Sequence, residues 1–251
     1  MNAYLVRVGI DSTARSGGFN APMNPETKEF AYVPIIEDRT PLGNLNRTFQ
    51  EFKDPCSKLE QSLPRKLWDT NAHLDPDFSE LTYGDVDGRD IKTDKINHRG
   101  RPLRNAQPND ILVFYAGLRE VHKIPSHGGI IDAIIGLYVV QESVSASKFA
   151  KGGSNDGNAH TRCHYNDADI VITAKRTISG RLDKCIPIGG YRDNAHRVSK
   201  DILDDWGDLD VHDGYIQRSA KLPKFNDPER FYNWFNEQLR DRRIRLVQRN
   251  N

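Results

Sequence analysis

His73, Asp75, Asp77 and Asp85 form the densest group of imidazole and carboxylate side chains in the sequence. Such groups supply an acid and base pair, or ligands for a divalent metal, when folding brings them together. Spacing alone shows no convergence, and Asp75-Pro76-Asp77 also has the composition of a turn whose aspartates bond the backbone, which is the favoured reading. Asp85, Asp87 and Asp90 superficially suggest a calcium loop. Asp90 stands where that loop needs glycine, however, and Ile96 where it needs glutamate. His160, Cys163, His164 and Cys185 are zinc-type donors whose spacing matches no standard pair of ligand hooks. No metal ligand is therefore assigned and no cofactor is predicted, with a divalent metal kept as an alternative for the acidic group.

Other chemistry-bearing residues sit near apparent strand ends. Tyr115 and Arg119 close an apolar run beginning at Ile111, where a rigid scaffold often presents groups to a partner. The plain alternative is a core strand with a surface tyrosine and a solvated arginine. His160 and Arg162 lie in a polar stretch that reads as a loop, and both suit phosphate or base edges. Gly214-Tyr215-Ile216-Gln217-Arg218-Ser219 combines an aromatic ring, an amide, a guanidinium and a hydroxyl, a set able to stack on and bond a heterocycle, or simply to form a two-sided strand. Gly17 and Gly18 follow the first strand, but no helix pattern or Lys-Ser/Thr pair completes a phosphate loop. The chain also has no Gly-x-Ser-x-Gly elbow, which argues against a conventional hydrolase.

The elements that must position these groups are mostly short strands. Tyr4 to Asp11, Phe30 to Ile36, Asn109 to Arg119, Ile134 to Val140, Asp169 to Thr173 and Lys184 to Ile188 are rich in β-branched and aromatic residues. Pro34 puts the second of these at an edge or an end. Residues 39–66 form a long polar excursion with one short helix. Ser199 starts a short helix with Gly207 as its stop, and Asp227-Pro228 opens a longer one over about 228–245. Phe231, Trp234, Phe235 and Leu239 recur on one face of that helix and read as core. Arg240, Arg242, Arg243, Arg245 and Arg249 make the most basic window, by default a solvated tail and alternatively a phosphate contact.

With 251 residues the chain can bury a sizeable core as one domain over residues 1–251. A net charge of +1 means that any nucleic-acid contact must come from local clustering of basic residues. Three scattered cysteines, Cys56, Cys163 and Cys185, fit a reducing compartment rather than a disulfide framework. No secretion signal opens the sequence and no apolar run approaches the ~20 residues that span a bilayer, so the expectation is a cytoplasmic protein without membrane contact.

Taken in order, Leu5-Val6-Arg7-Val8-Gly9-Ile10-Asp11, Asn20-Ala21-Pro22, His73-Leu74-Asp75-Pro76-Asp77-Phe78, Leu81-Thr82-Tyr83-Gly84-Asp85, Phe114-Tyr115-Ala116-Gly117-Leu118-Arg119, Asn158-Ala159-His160-Thr161-Arg162 and Gly214 to Ser219 resemble the third nucleotide-modification-associated domain family of bacteria and phages. The likeness runs from Leu5 to about Phe235. The runs at 109–115 and 135–140 are also similar to the central hairpin of the PUA-like superfamily, which includes the EVE, ASCH and YTH domains. Their small barrels hold an extruded or single-stranded base, often a modified one, in a pocket.

These resemblances imply an α+β protein with a PUA-like mixed β-barrel core around residues 100–190, helical cover and extended loop insertions. They imply recognition of a modified base or nucleotide in a DNA-modification or phage-defence setting, with DNA or nucleotide and modification-system proteins as partners. In that reading Tyr115, Arg119, His160, Arg162, Tyr215, Gln217 and Arg218 hold the base or its phosphate. The enzyme alternative uses Asp11, His73, Asp75 and Asp85 as acid, base or metal ligands, and a third alternative is a non-catalytic docking subunit.

Overall fold

The structure is a computed structural model that describes residues 1–11, 16, 18–90, 94–121, 129–153, 155–217 and 222–251. Its longer strands are β1 (Ala3–Arg7), β2 (Thr82–Val86), β3 (Ile111–Glu120), β4 (Ile130–Ser145), β5 (Asp169–Ala174), β6 (Gly180–Arg192) and β7 (Ala195–Val198). With Pro22–Met23 and Leu246–Val247 they form a nine-stranded mixed sheet among the described residues. The apolar runs around 111–119 and 134–140 become the antiparallel pair β3 and β4, in register from Ile111 opposite Val139 to Arg119 opposite Ile130. β1 lies parallel to β3, with Ala3 opposite Ile111 and Arg7 opposite Tyr115. Strands buried on both faces need continuous apolar side chains, and Ile111 to Leu118 are buried throughout.

β4, at 16 residues, is longer than any one partner. Residues 131–137 pair with β6, whereas residues 140–145 pair with β5. β5 in turn carries β2, with Val171 opposite Gly84 and Ile170 opposite Asp85. The ladder therefore branches at β4, and its pairings close no ring among the described residues. An α+β mixed sheet is present, while the expected closed PUA-like barrel is replaced by this open, branched sheet.

Two local departures from the sequence reading have simple causes. Only Ile35–Ile36 of the expected strand at 30–36 pairs as a ladder, with Ala72–His73. Pro34 lacks an N–H to donate, and Phe30 makes just a single bridge to Met23. The last helix ends at Asp241 rather than near 245, because Arg243 takes a left-handed backbone at φ 54°.

Helices cover one region of the sheet. The short turn α1 (Ala159–Arg162) packs near β2 and β5, and α2 (Lys200–Trp206) meets α3 (Pro228–Asp241). Asp227 caps α3 by accepting from Arg230 N at 3.0 Å, and Gly207 ends α2 at φ 73°. Ser199 Oγ, by contrast, bonds the Ile188 carbonyl at 3.3 Å instead of capping α2. Trp206 packs on Phe231 and Trp234 at centroid distances of 5.5 and 5.4 Å, so the aromatic stripe of α3 is core. Burial of each such ring contributes about 2–3 kcal/mol. No helix among the described residues is long and apolar enough to cross a membrane.

Candidate active site

The short ladder at 35–36 and 72–73, the strands β2 and β5 and the helix α1 together surround Asp75. The ladder between Ile35–Ile36 and Ala72–His73 sets His73 beside Glu37, whose Oε2 lies 2.6 Å from His73 Nδ1. Two residues on, the Asp75 carboxylate is held by the Gly84 amide, 2.9 Å from each oxygen, and by Asn158 Nδ2, 3.2 Å from Oδ1. Asn158 also caps α1 by accepting from His160 N at 2.9 Å, so one side chain orients both Asp75 and His160. The His160 ring is fixed from behind by Asp169 at the start of β5, with Nδ1 to Oδ1 at 2.7 Å. His73 Nε2 and His160 Nε2 then face Asp75 Oδ2 at 3.9 and 3.8 Å.

The tautomers follow from the partners. An ionised carboxylate only accepts, so Glu37 and Asp169 require a proton on each Nδ1 and leave each Nε2 of a neutral ring with its lone pair toward Asp75. Both carboxylates are held ionised. Burial pushes Glu37 upward, but the hydrogen bond and charge of His73 outweigh it and bring its pKa down to about 2. Asp169 likewise stays below its ordinary value, because His160 and Arg39 overcome burial. Asp75 is the opposite case: burial dominates over the two histidines and the Gly84 amide, and raises its pKa to about 6. For His73 burial opposes protonation, yet the contact with Glu37 prevails and its pKa lies above the ordinary value.

This constellation lies in a cleft of about 480 Å³, within the usual range for small-molecule sites. Val8, Ile35, Ile36 and Val86 give it apolar wall, and Arg7, Arg39 and Arg99 contribute positive charge. Arg39 bridges Asp169 and Asp90 at 2.6 and 3.0 Å. Arg99 meets Asp85 at 2.6 Å and the Tyr83 hydroxyl at 3.3 Å. Arg7 donates to the Gln217 carbonyl and lies 3.8 Å from Asp11.

Of the residues singled out in the sequence, Asp11, His73, Asp75, Asp85, His160 and Gln217 line this one cleft. Gln217 does so at its border, with its Oε1 3.2 Å from the His196 amide. Tyr115 is elsewhere: it is buried in β3, and its hydroxyl donates to the Ile216 carbonyl at 2.6 Å, so it ties down the 216–217 segment instead of stacking on a base. Arg162 is also buried, clamped by Asp77 at 2.6 Å and Asp156 at 3.0 Å, and does not line the cleft. Arg119 lies near the far end of β3 beside Pro22, and Tyr215 packs under Arg197; neither borders the cleft. Arg218 lies outside the described residues. Asp77 bonds the amides of Ser79 and Glu80, as the turn reading requires. His164 and Cys185 do not join His160 in the cleft. In the basic window, Arg240 and Arg245 pair with Asp241 and Asp183.

Glu37, Asp169, Arg39, Arg99 and Asn158 were not recognisable as site residues. Glu37 precedes His73 by 36 positions and Arg39 precedes Asp169 by 130, so no spacing rule connects them. The one available signal was Asn158 two residues before His160, the offset of an N-cap.

A family model described as nucleotide modification associated domain 3 matches residues 2–239. No curated protein and no solved structure matches the chain.

Proposed function

Because the chain belongs to the nucleotide modification associated domain 3 family, we propose that its cleft binds a nucleotide or an extruded nucleobase and alters it chemically. The observation that carries this reading is the pair of imidazoles, each locked through Nδ1 and each presenting Nε2 toward a buried carboxylate on a cleft wall. Pure recognition of a base calls for stacking aromatics and edge-reading amides. The candidate stacker Tyr115 is instead committed to the core, and the candidate amide Gln217 to a backbone contact. Beside its apolar wall and Tyr83, the cleft is lined by acid, base and ligand groups, among them a carboxyl group of raised pKa.

Roles follow from position. Asp75, His73 and His160 face the reacting edge, while Glu37 and Asp169 position the two rings. Arg7 supplies positive charge toward a phosphate at the mouth, and Val8 with Ile35 and Ile36 supports the flat face of the base. Unstacking a base from a duplex costs a few kcal/mol, which these contacts must offset.

Protein purified without chelator and incubated with DNA or nucleotides should generate a nucleoside of shifted mass, detected after digestion by mass spectrometry. Asp75→Asn should abolish it with the fold retained by circular dichroism. Selective binding with no mass change would favour recognition without turnover, and absence of both binding and turnover would leave the docking-subunit reading.

A further inference from the structure

We propose that His73 Nε2, a carboxylate oxygen of Asp75 and His160 Nε2 hold one divalent first-row transition metal ion. The inference goes beyond the nucleotide reading and stands without it, because it rests on the three side chains and their supports alone.

The first argument is a contrast of distances. On their Nδ1 sides the two rings sit at 2.6 and 2.7 Å from carboxylates, which are charge-assisted hydrogen bonds. On their Nε2 sides they stop at 3.9 and 3.8 Å from Asp75 Oδ2, too far for a hydrogen bond. Two imidazolium rings clamping a carboxylate would close those gaps. A metal at roughly 2.0–2.2 Å from each ligand in tetrahedral or octahedral geometry sets neighbouring ligand atoms about 3–3.5 Å apart, so gaps of 3.9 and 3.8 Å are those of an open site that contracts by a few tenths of an ångström when it takes up the ion. All three ligand atoms lie within 4.8 Å of one another.

The supporting shell points the same way. Metal-bound histidines almost always pass their other N–H to a carboxylate or carbonyl, which fixes the tautomer and ring orientation. Both histidines do so here, through Glu37 and Asp169. Asp75 Oδ1 accepts from Asn158 Nδ2, both oxygens share the Gly84 amide, and Oδ2 is the one that faces the rings. Among the described residues Asp75 carries no arginine or lysine salt bridge, unlike Asp85 and Asp169, which have Arg99 and Arg39.

Charge supplies the third argument. Glu37, Asp75 and Asp169 stand around the two imidazoles, and among the described residues only Asp169 of the three has an arginine salt bridge, to Arg39. With neutral rings this group is strongly negative, and a dication offsets most of it. Two nitrogens and one carboxylate oxygen suit iron, zinc or manganese better than calcium or magnesium, which prefer all-oxygen shells. Because all three ligands border the cleft, the remaining coordination positions face the space where a substrate or water would sit.

The test is metal binding in the absence of any nucleotide. Chelator-treated protein titrated with Co²⁺ should take up one equivalent and develop visible d–d absorption, and Zn²⁺ should displace it. His73→Gln, His160→Gln and Asp75→Asn should each weaken binding by at least 100-fold, and Glu37→Gln by about 10–100-fold. His196→Gln is the control, since His196 meets Asp132 at 2.8 Å but among the described residues belongs to no such cluster, and it should leave binding unchanged. If a ligand variant fails to fold, crystals of the unaltered protein grown with Co²⁺ should show an anomalous peak between the three side chains. A folded protein that binds no metal, a peak elsewhere, or ligand variants that bind as tightly as the unaltered chain would overturn the proposal. A metal bound at this site without any nucleotide turnover would sustain it and count only against the catalytic reading.

Discussion

Gly84 and His160 approach so closely that a Cβ on Gly84 would fall inside van der Waals contact of His160 Cδ2 and 2.9 Å from Asn158 Oδ1. The same glycine donates its amide to Asp75, so one residue of β2 sets both the acid and one of the bases. Gly84→Ala should displace the His160 ring at a cost of about 1–3 kcal/mol. Metal uptake should fall by more than tenfold while the far-ultraviolet circular dichroism is kept; thermal melting and Co²⁺ titration of the same sample check both.

Arg39 joins Asp169 to Asp90 with its side chain only 9% exposed. Arg39→Ala leaves two carboxylates without their shared cation, and breaking a buried pair of this kind costs about 3–5 kcal/mol. The expected outcome is a large drop in the urea midpoint, and a drop below 1 kcal/mol would show that the bridge is solvated.

Tyr115→Phe separates a structural from a ligand-stacking role. Losing the hydroxyl leaves the buried Ile216 carbonyl unpaired, for about 1–3 kcal/mol of stability, yet keeps the aromatic ring. Denaturation should register the loss and oligonucleotide binding should not. A binding defect at unchanged stability would restore Tyr115 to the ligand.

Burial raises the thiols of Cys56, Cys163 and Cys185 to about 12, with the Glu37 charge adding to burial at Cys163. At pH 8 the thiolate fraction of each is then roughly a thousandfold below that of an ordinary cysteine. Reaction with a disulfide reagent should be very slow in the native protein and rapid for all three thiols in denaturant.

Much of the scaffold could be read directly from residue order. The β3–β4 pair, the short strand at 169–173 and helix α3 with its Asp227 cap are local patterns, set by side-chain period and by which backbone groups need a partner. The family likeness was legible for a similar reason, since it rests on ordered short motifs. The closed barrel was not decided locally. Whether β4 pairs along its length with one strand or divides between β5 and β6 depends on strands 24 to 50 residues further along the chain.

The candidate site shows the same division. Sequence alone determined that His73, Asp75, Asp85 and His160 exist as polar groups close to apolar strands, and it determined the turn at Asp77. It did not distinguish Arg162, buried against Asp77, from Arg7 on the cleft wall, because an arginine's neighbours are chosen by packing and not by its own neighbours in sequence. Only the tertiary structure set Glu37 behind His73 and Asp169 behind His160, and so turned two imidazoles toward one carboxylate. Hydrogen bonds between residues far apart in the chain fix those rings, and such bonds form only where the folded sheet brings their partners within about 3 Å.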